Sequence, residues 1–484
     1  EQNGEGEDEV EDGVTGEEEN LKRNSGAKSA AVLSVEVDVA EGRFPLCTCA
    51  AWTAEALAGG EVTFAVGLGV REEGEEVDRG AVRVFGVVPN PECQNSPSSQ
   101  AEGSGLQLRE DGSVAAQTSG VLSLCIVPAE LSSSQDENHG HGEDSDDIQG
   151  PWLATGGADG SVRFWRMHNG TWDEDTNALA PEPSVHEGNV NSLICCKEGG
   201  LLSGGDDGKI HRWKRDPSGA EKAGWTWRAV ETMDAAAEQK GGPDDDMRGV
   251  MCLCESKDRV LSAVQQRNVV LVWRRAGGGA SGWGCVARLA GHALWVTAMT
   301  AVHDEDFVVT ASYDGTLRIF NLRDTKSNFF YEAAPPTKTA SAVLAMGLLG
   351  SPGCDERLFT AGDDGGVHEW VVEMSAAGIS LKGHGALRPG EPRVQGAKEV
   401  DEEGEEAEDT TVVECAGIAV VSQLQVAAGG PGADPEPSAL VVCCDSRGRI
   451  GAWRVAAAGG GVGEGDESRM ELGEDTESVG LGRE

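Results

Sequence analysis

At 484 residues the chain is long enough for two or three ordinary domains or for one large repeat domain. Its 39 Lys and Arg against 83 Asp and Glu leave a formal charge of 39 − 83 = −44. A field of that sign repels nucleic-acid phosphates and anionic membranes and favours basic partners.

Acidity is concentrated in Glu1–Glu19, Glu72–Asp78, Asp136–Asp147, Glu399–Asp409 and the tail after Gly463. Self-repulsion there opposes compaction, so 1–28 and 457–484 read as disordered acidic flanks. Between them, 29–456 carries enough of the 39% hydrophobic content for a sizeable core. Thirteen Cys with no Cys-x-x-Cys pair argue against a disulfide framework or a zinc site, and Cys47/Cys49 and Cys252/Cys254 read as small core residues. There is no secretory h-region and no apolar run near 18 residues, so an intracellular protein, cytoplasmic or nuclear, is expected. Glu stands first rather than Met, which leaves a longer natural chain open.

In chain order, Ala31–Asp38 is a strand with no evident partner nearby. Phe64–Gly67 and Val82–Phe85 make a hairpin with Arg71–Asp78 inserted at its tip. Pro89–Gly112, Ser132–Gly150, Arg388–Thr410 and Ala427–Pro437 are rich in Gly, Pro, Ser and acid and read as surface loops. His139 and His141 fall in the second of these, where a solvated loop is expected rather than a metal site.

Five segments keep one beat: a Thr or Ser, the Asp of an Asp-Gly-type turn four residues on, and an aromatic six residues further. They are Thr155–Asp159–Trp165, Ser203–Asp207–Trp213, Thr310–Asp314–Phe320, Thr360–Asp364–Trp370 and the degenerate Cys443–Arg447–Trp453. A sixth unit runs from Leu261-Ser262 to Val272-Trp273, with Gln266 at the Asp position. A fixed internal period signals repeated supersecondary units. Around each beat lie short strands, such as Val190–Cys195, Phe307–Thr310, Thr316–Phe320, Trp225–Val230 and Phe329–Glu332. Four antiparallel strands per unit, repeated radially, make a β-propeller.

The clearest unit runs Gly291-His292-Ala293-Leu294-Trp295-Val296, then Val309-Thr310-Ala311-Ser312-Tyr313-Asp314-Gly315, then Leu317-Arg318-Ile319-Phe320. It resembles a WD40 repeat. With the aromatic ends Phe85, Trp165, Trp213, Trp273, Phe320, Trp370 and Trp453, the resemblance implies an all-β fold. The expected form is a seven-bladed β-propeller of four-stranded antiparallel blades, closed by the N-terminal strand Ala31–Asp38.

The resemblance also assigns the His–hydroxyl–Asp sets, which on paper look like hydrolase triads. His186, Ser203, Asp207 and Trp213 match a structural hydrogen-bond chain within one blade, as do His292, Thr310 and Asp314, ending on Phe320. Thr155, Asp159 and Trp165, and Thr360, Asp364 and Trp370, match it in part. Gln117, Asp246 and Thr339 fall near the His position elsewhere, and His384 falls before the last unit. A catalytic triad is one site, whereas this set recurs, so no catalytic residue, cofactor or metal is expected. Asp206/Asp207 and Asp363/Asp364 sit at turns, and the Gly-rich 277–284 and 459–463 lack a phosphate-loop spacing.

What remains is a binding surface. In the family, residues just before the first strand and just before the turn Asp line one face of the propeller. Here these are Asn189, Gly249 and Trp295, and then Ala158, Asp206, Gln265, Tyr313, Asp363 and Ser446, with Arg248 beside them. Trp295 and Tyr313 share a blade and are of the types enriched at interface hot spots, while Asp206 and Asp363 suit a Lys- or Arg-bearing ligand. The expected role is a non-catalytic scaffold binding a protein partner in a larger complex. Phe320-Asn321-Leu322-Arg323 also resembles the Trp-Asp-x-Arg box of substrate receptors of cullin-RING ubiquitin ligases, in which Phe320, Asn321 and Arg323 would dock the adaptor.

Overall fold

The computed structural model describes residues 32–36, 44–53, 62–71, 79–89, 106–115, 120–127, 152–168, 171–174, 185–197, 200–216, 226–239, 248–265, 268–275, 282–323, 330–339, 341–350, 356–376, 378–387, 415–424, 438–445 and 449–456. The acidic blocks and flanks, His139, His141, Gln117, Asp246, Gln266, Ser446 and Arg447 lie outside them.

Alternating apolar residues and Asp-Gly turns fold the chain into antiparallel sheets, each built outward in chain order. Six such sheets are blades of an all-β propeller. The first comprises Phe44–Thr53, Val62–Arg71, Arg79–Pro89 and Leu106–Ala115. The third comprises Val190–Cys196, Gly200–Gly205, Lys209–Asp216 and Thr226–Asp234. In the fifth, the outermost position is split into Tyr331–Glu332 and Thr337–Lys338, both paired with Thr316–Asn321. A further antiparallel sheet follows, of Cys415–Leu424, Ser438–Asp445 and Arg449–Ala456.

One loop expectation is corrected. The outer strand of the first blade, Leu106–Ala115, takes residues out of the expected Pro89–Gly112 loop. Asp111-Gly112 interrupts its apolar alternation, yet the backbone ladder to Ala81–Pro89 does not depend on side-chain identity. His384 precedes the last sheet in the chain, as expected, but is part of a strand. It lies on Gly378–Leu387, the outer strand of the sixth blade, with Nδ1 3.3 Å from the Glu369 carboxylate.

Cores form between neighbouring blades. Trp152 and Phe164 of the second blade bury against Leu201, Trp213 and Trp227 of the third, with Phe164 and Trp227 stacked at 4.7 Å. Matching clusters join the first and second, third and fourth, fourth and fifth, and fifth and sixth blades. The sixth blade shares one with the sheet that holds Trp453. Each of these clusters sets a Trp or Phe among aliphatic side chains, and each such aromatic buries on the order of 150–250 Å². A β-bulge recurs near the start of the first strand, between Val190 and Ser192, Val250 and Cys252, Val296 and Ala298, and Val343 and Ala345. The extra residue turns its side chain across to the next blade, as when Thr297 Oγ1 donates to the Val343 carbonyl at 2.6 Å.

Candidate functional site

The Asp-Gly turns gather on one face. There the residue before each turn Asp donates its backbone N–H to the carbonyl of the residue that precedes the first strand. Ala158 bonds Gly120, Asp206 bonds Asn189, Gln265 bonds Gly249 and Tyr313 bonds Trp295, each at 2.9 Å, and Asp363 bonds Ala342 at 3.2 Å. Positions from different strands are therefore held in pairs, one in each of the second to sixth blades. Each turn Asp fixes its own turn, as Asp314 Oδ1 accepts from the Thr316 N–H at 3.0 Å.

The pairs differ in chemistry. The third blade presents Asn189 with Asp206, whose carboxylate accepts from Asn191 Nδ2 at 2.7 Å and is partly occupied within the blade. The fourth presents Gly249 with Gln265, beside exposed Arg248. The fifth presents Trp295, 36% exposed, with Tyr313, 41% exposed. Leu294, 48% exposed, extends that apolar patch and was missed by sequence reasoning, since its place before Trp295 reads as part of a strand approach. The sixth presents Ala342 with Asp363, so polar side chains flank the aromatic pair on both sides.

Beneath this face run the hydrogen-bond chains. In the third blade His186 Nδ1 donates to Asp207 Oδ1 at 2.9 Å, its Nε2 meets Ser203 Oγ at 2.8 Å, and Trp213 Nε1 donates to Ser203 Oγ at 2.9 Å. In the fifth, His292 Nε2 meets Thr310 Oγ1 at 2.8 Å and Nδ1 lies 3.1 Å from Asp314 Oδ2, and Phe320 ends the chain with no donor. Trp165 bonds Thr155 at 3.0 Å, and Trp273 bonds Ser262 and Trp370 bonds Thr360, both at 2.9 Å. Asp159 and Asp364 are drawn instead to Ser161 and His368.

Trp453 lacks this bond: its Nε1 is buried with no hydrogen-bond partner among the described residues, and Cys443 stands at the register position that Ser203 holds in the third blade. Sulfur accepts weakly. Replacing Cys443 by Ser supplies the acceptor and is expected to stabilise the fold by about 1 kcal/mol in urea denaturation.

Hydrogen bonding sets the turn carboxylates. His368 holds the Asp364 carboxyl down to about 2 against the upward push of burial. Burial pushes Asp207 and Asp314 up, yet bonds from His186 and from Thr316 and Ala293 leave both below the ordinary carboxylate range. Folded pKa values below unfolded ones near ~3.9 contribute stability that is present above that pH and lost as pH falls toward about 2. Asp364→Asn should therefore lower the melting temperature at neutral pH and converge with the wild type at about pH 2. A constant difference across that range would contradict the assignment.

His211 joins the third-blade chain and was also missed. It pairs with Ser203 across the hairpin, its ring stands 4.6 Å from that of His186, and Nδ1 meets Thr232 Oγ1 at 2.9 Å. Burial first, then the nearby His186, push its pKa down to about 4. Its position two residues before Trp213, on the same strand face, was the available signal. The thiols are poor nucleophiles: burial pushes Cys195 up to about 11 and Cys254 up to about 12.

Arg323 lies at the other end of the fifth blade, since Thr316–Asn321 runs away from the Asp314 turn. Its Nε donates to Asp306 Oδ2 at 3.0 Å, and its guanidinium covers the Phe307 ring at 4.8 Å. Lys257 also pairs with Asp306, and Lys197 pairs with Glu305, so the third, fourth and fifth blades are tied together on that side. Phe320 is buried, and Asn321 Oδ1 accepts the Arg323 N–H at 2.8 Å.

Against known families, residues 139–166, 182–214 and 283–321 match the WD domain, G-beta repeat. The last match begins on Trp283–Leu289, the outer strand of the fourth blade, and ends on the third strand of the fifth. The chain is a WD40-repeat protein. No curated protein matches it, so the assignment rests on these segments and on the propeller. WD40 propellers generally serve as protein-interaction scaffolds and are usually non-catalytic. No helix among the described residues is long and apolar enough to cross a membrane.

Proposed function

We propose that this WD40 protein is a non-catalytic scaffold whose Asp-Gly-turn face binds a protein or peptide, with Trp295 and Tyr313 as its anchors. The reading rests on one observation: two aromatic side chains from distant sequence positions are clamped side by side by a backbone bond and left exposed. Single exposed apolar side chains are ordinary, whereas a contiguous exposed patch such as Leu294, Trp295 and Tyr313 marks an interaction surface. Leu294 widens the contact, and Asn189, Asp206, Arg248 and Asp363 form its polar surround, so a segment with apolar and basic side chains fits best.

The ring is proposed to have seven blades over residues 29–456, between acidic flanks 1–28 and 457–484. Pairing of Val32–Glu36 with Arg449–Ala456, register Val32 to Trp453, supports closure by the N-terminal strand. Such closure would protect an otherwise open sheet edge.

A quantitative pull-down from a cell extract, comparing the intact chain with a folded Trp295→Ala/Tyr313→Ala variant, tests the reading. Partners should be lost from the variant; an unchanged set overturns the face assignment. A second reading, substrate receptor of a cullin-RING ligase, draws on the half-exposed Arg323 opposite that face. Arg323→Ala should then remove adaptor proteins while leaving top-face partners bound.

A further inference from the structure

We propose that His186, Asp207 and His211 form a zinc-binding site inside the third blade. One ring nitrogen of each histidine and a carboxylate oxygen of Asp207 all lie within 4.8 Å of one another. Two imidazoles and a carboxylate are a borderline nitrogen and oxygen donor set, the kind that suits Zn²⁺.

A second observation points the same way. His211 is 8% exposed; Nδ1 is taken by Thr232, and the buried Nε2 makes no hydrogen bond of good geometry among the described residues, having only the Val185 backbone nearby. A buried polar atom left in this state costs free energy, and a cation is one way of satisfying it. Thr232 fixes one face of the His211 ring, and Ser203 fixes Nε2 of His186, which is the outer-shell support metal-bound imidazoles require.

The other blades lack the set. Opposite the hydroxyl residue, where the third blade has His211, the second has Arg163, the fourth Leu271 and the fifth Arg318. The sixth has His368 beside Asp364, but Thr339 stands near the first His position.

Coordination by His186 Nδ1 moves its proton to Nε2, which then donates to Ser203 Oγ, so the imidazole stays neutral and no net proton is lost. Asp207 exchanges its bond from His186 for the metal. The Lys209 ammonium, 4.0 Å from the other Asp207 oxygen, is the opposing charge; it is 41% exposed and has solvent to turn into.

The test is calorimetric titration of the chelator-treated full chain with Zn²⁺, in a His139→Ala/His141→Ala background. One equivalent should bind, and His211→Gln, which leaves Ser203 and Trp213 in place, should weaken it at least about tenfold. Equal binding by both proteins overturns the proposal. Should His211→Gln fail to fold, X-ray absorption at the zinc edge of the loaded background protein decides. Two imidazoles and a carboxylate support the site, and thiolate ligands overturn it.

Discussion

Replacing His186 by Ala is expected to destabilise the protein by about 3 kcal/mol, with the matching His292→Ala change costing clearly less. His186 has a fully buried side chain and is the only side chain seen to join Asp207 to Ser203. Without it the Asp207 carboxylate, 4% exposed, keeps the backbone N–H groups of Lys209 and Glu187 at 3.0 and 3.3 Å and the partly exposed Lys209 ammonium at 4.0 Å. A cavity adds to the loss. In the fifth blade Asp314 is also held by the Thr316 hydroxyl at 2.6 Å and the Ala293 N–H at 2.7 Å, and Phe320 leaves no indole for Thr310 to serve. Loss of His292 there orphans fewer groups. Urea midpoints of the two variants read the difference, and equal losses, or a larger one for His292→Ala, would sink this account.

The same contrast explains why the fold was legible. A chain of bonds from a turn Asp to a hydroxyl to an indole fixes three residue types at set spacings, because hairpin register leaves no slack between Ser203 and Trp213. Where chemistry does not constrain the backbone, the sequence spoke less clearly. Leu106–Ala115 is a strand despite Asp111-Gly112, since a ladder requires only main-chain groups. His384 reads as a repeat marker, but a long outer strand carries it to Glu369 instead. The site divides likewise. Trp295 and Tyr313 are singled out through the family resemblance, because one precedes a first strand and the other a turn Asp. Leu294 is marked by its exposure, which only the structure shows, and His211 by a ring packed beside that of His186, at which its place before Trp213 merely hinted.

Trp295→Ala/Tyr313→Ala is expected to weaken partner binding by about 2–4 kcal/mol, roughly thirtyfold or more, while leaving the melting temperature nearly unchanged. The two halves of this expectation have separate causes. Both side chains are more than a third exposed and outside the inter-blade cores, so truncating them opens no cavity. Their mutual tie is a backbone bond, Tyr313 N–H to the Trp295 carbonyl at 2.9 Å, which alanine retains. Binding energy, in contrast, concentrates in rigid aromatic anchors, because few rotamers are lost when they are covered. Leu294→Ala should add a smaller loss, about 1 kcal/mol, since it removes area but no anchor. Titration calorimetry with a partner recovered in the pull-down supplies the affinities. A variant that loses binding only in step with melting temperature would mean that the patch supports the fifth blade rather than a ligand. A stable variant with unaltered affinity would place the contact away from this blade, on surfaces that Asp206 or Asp363 reach without it.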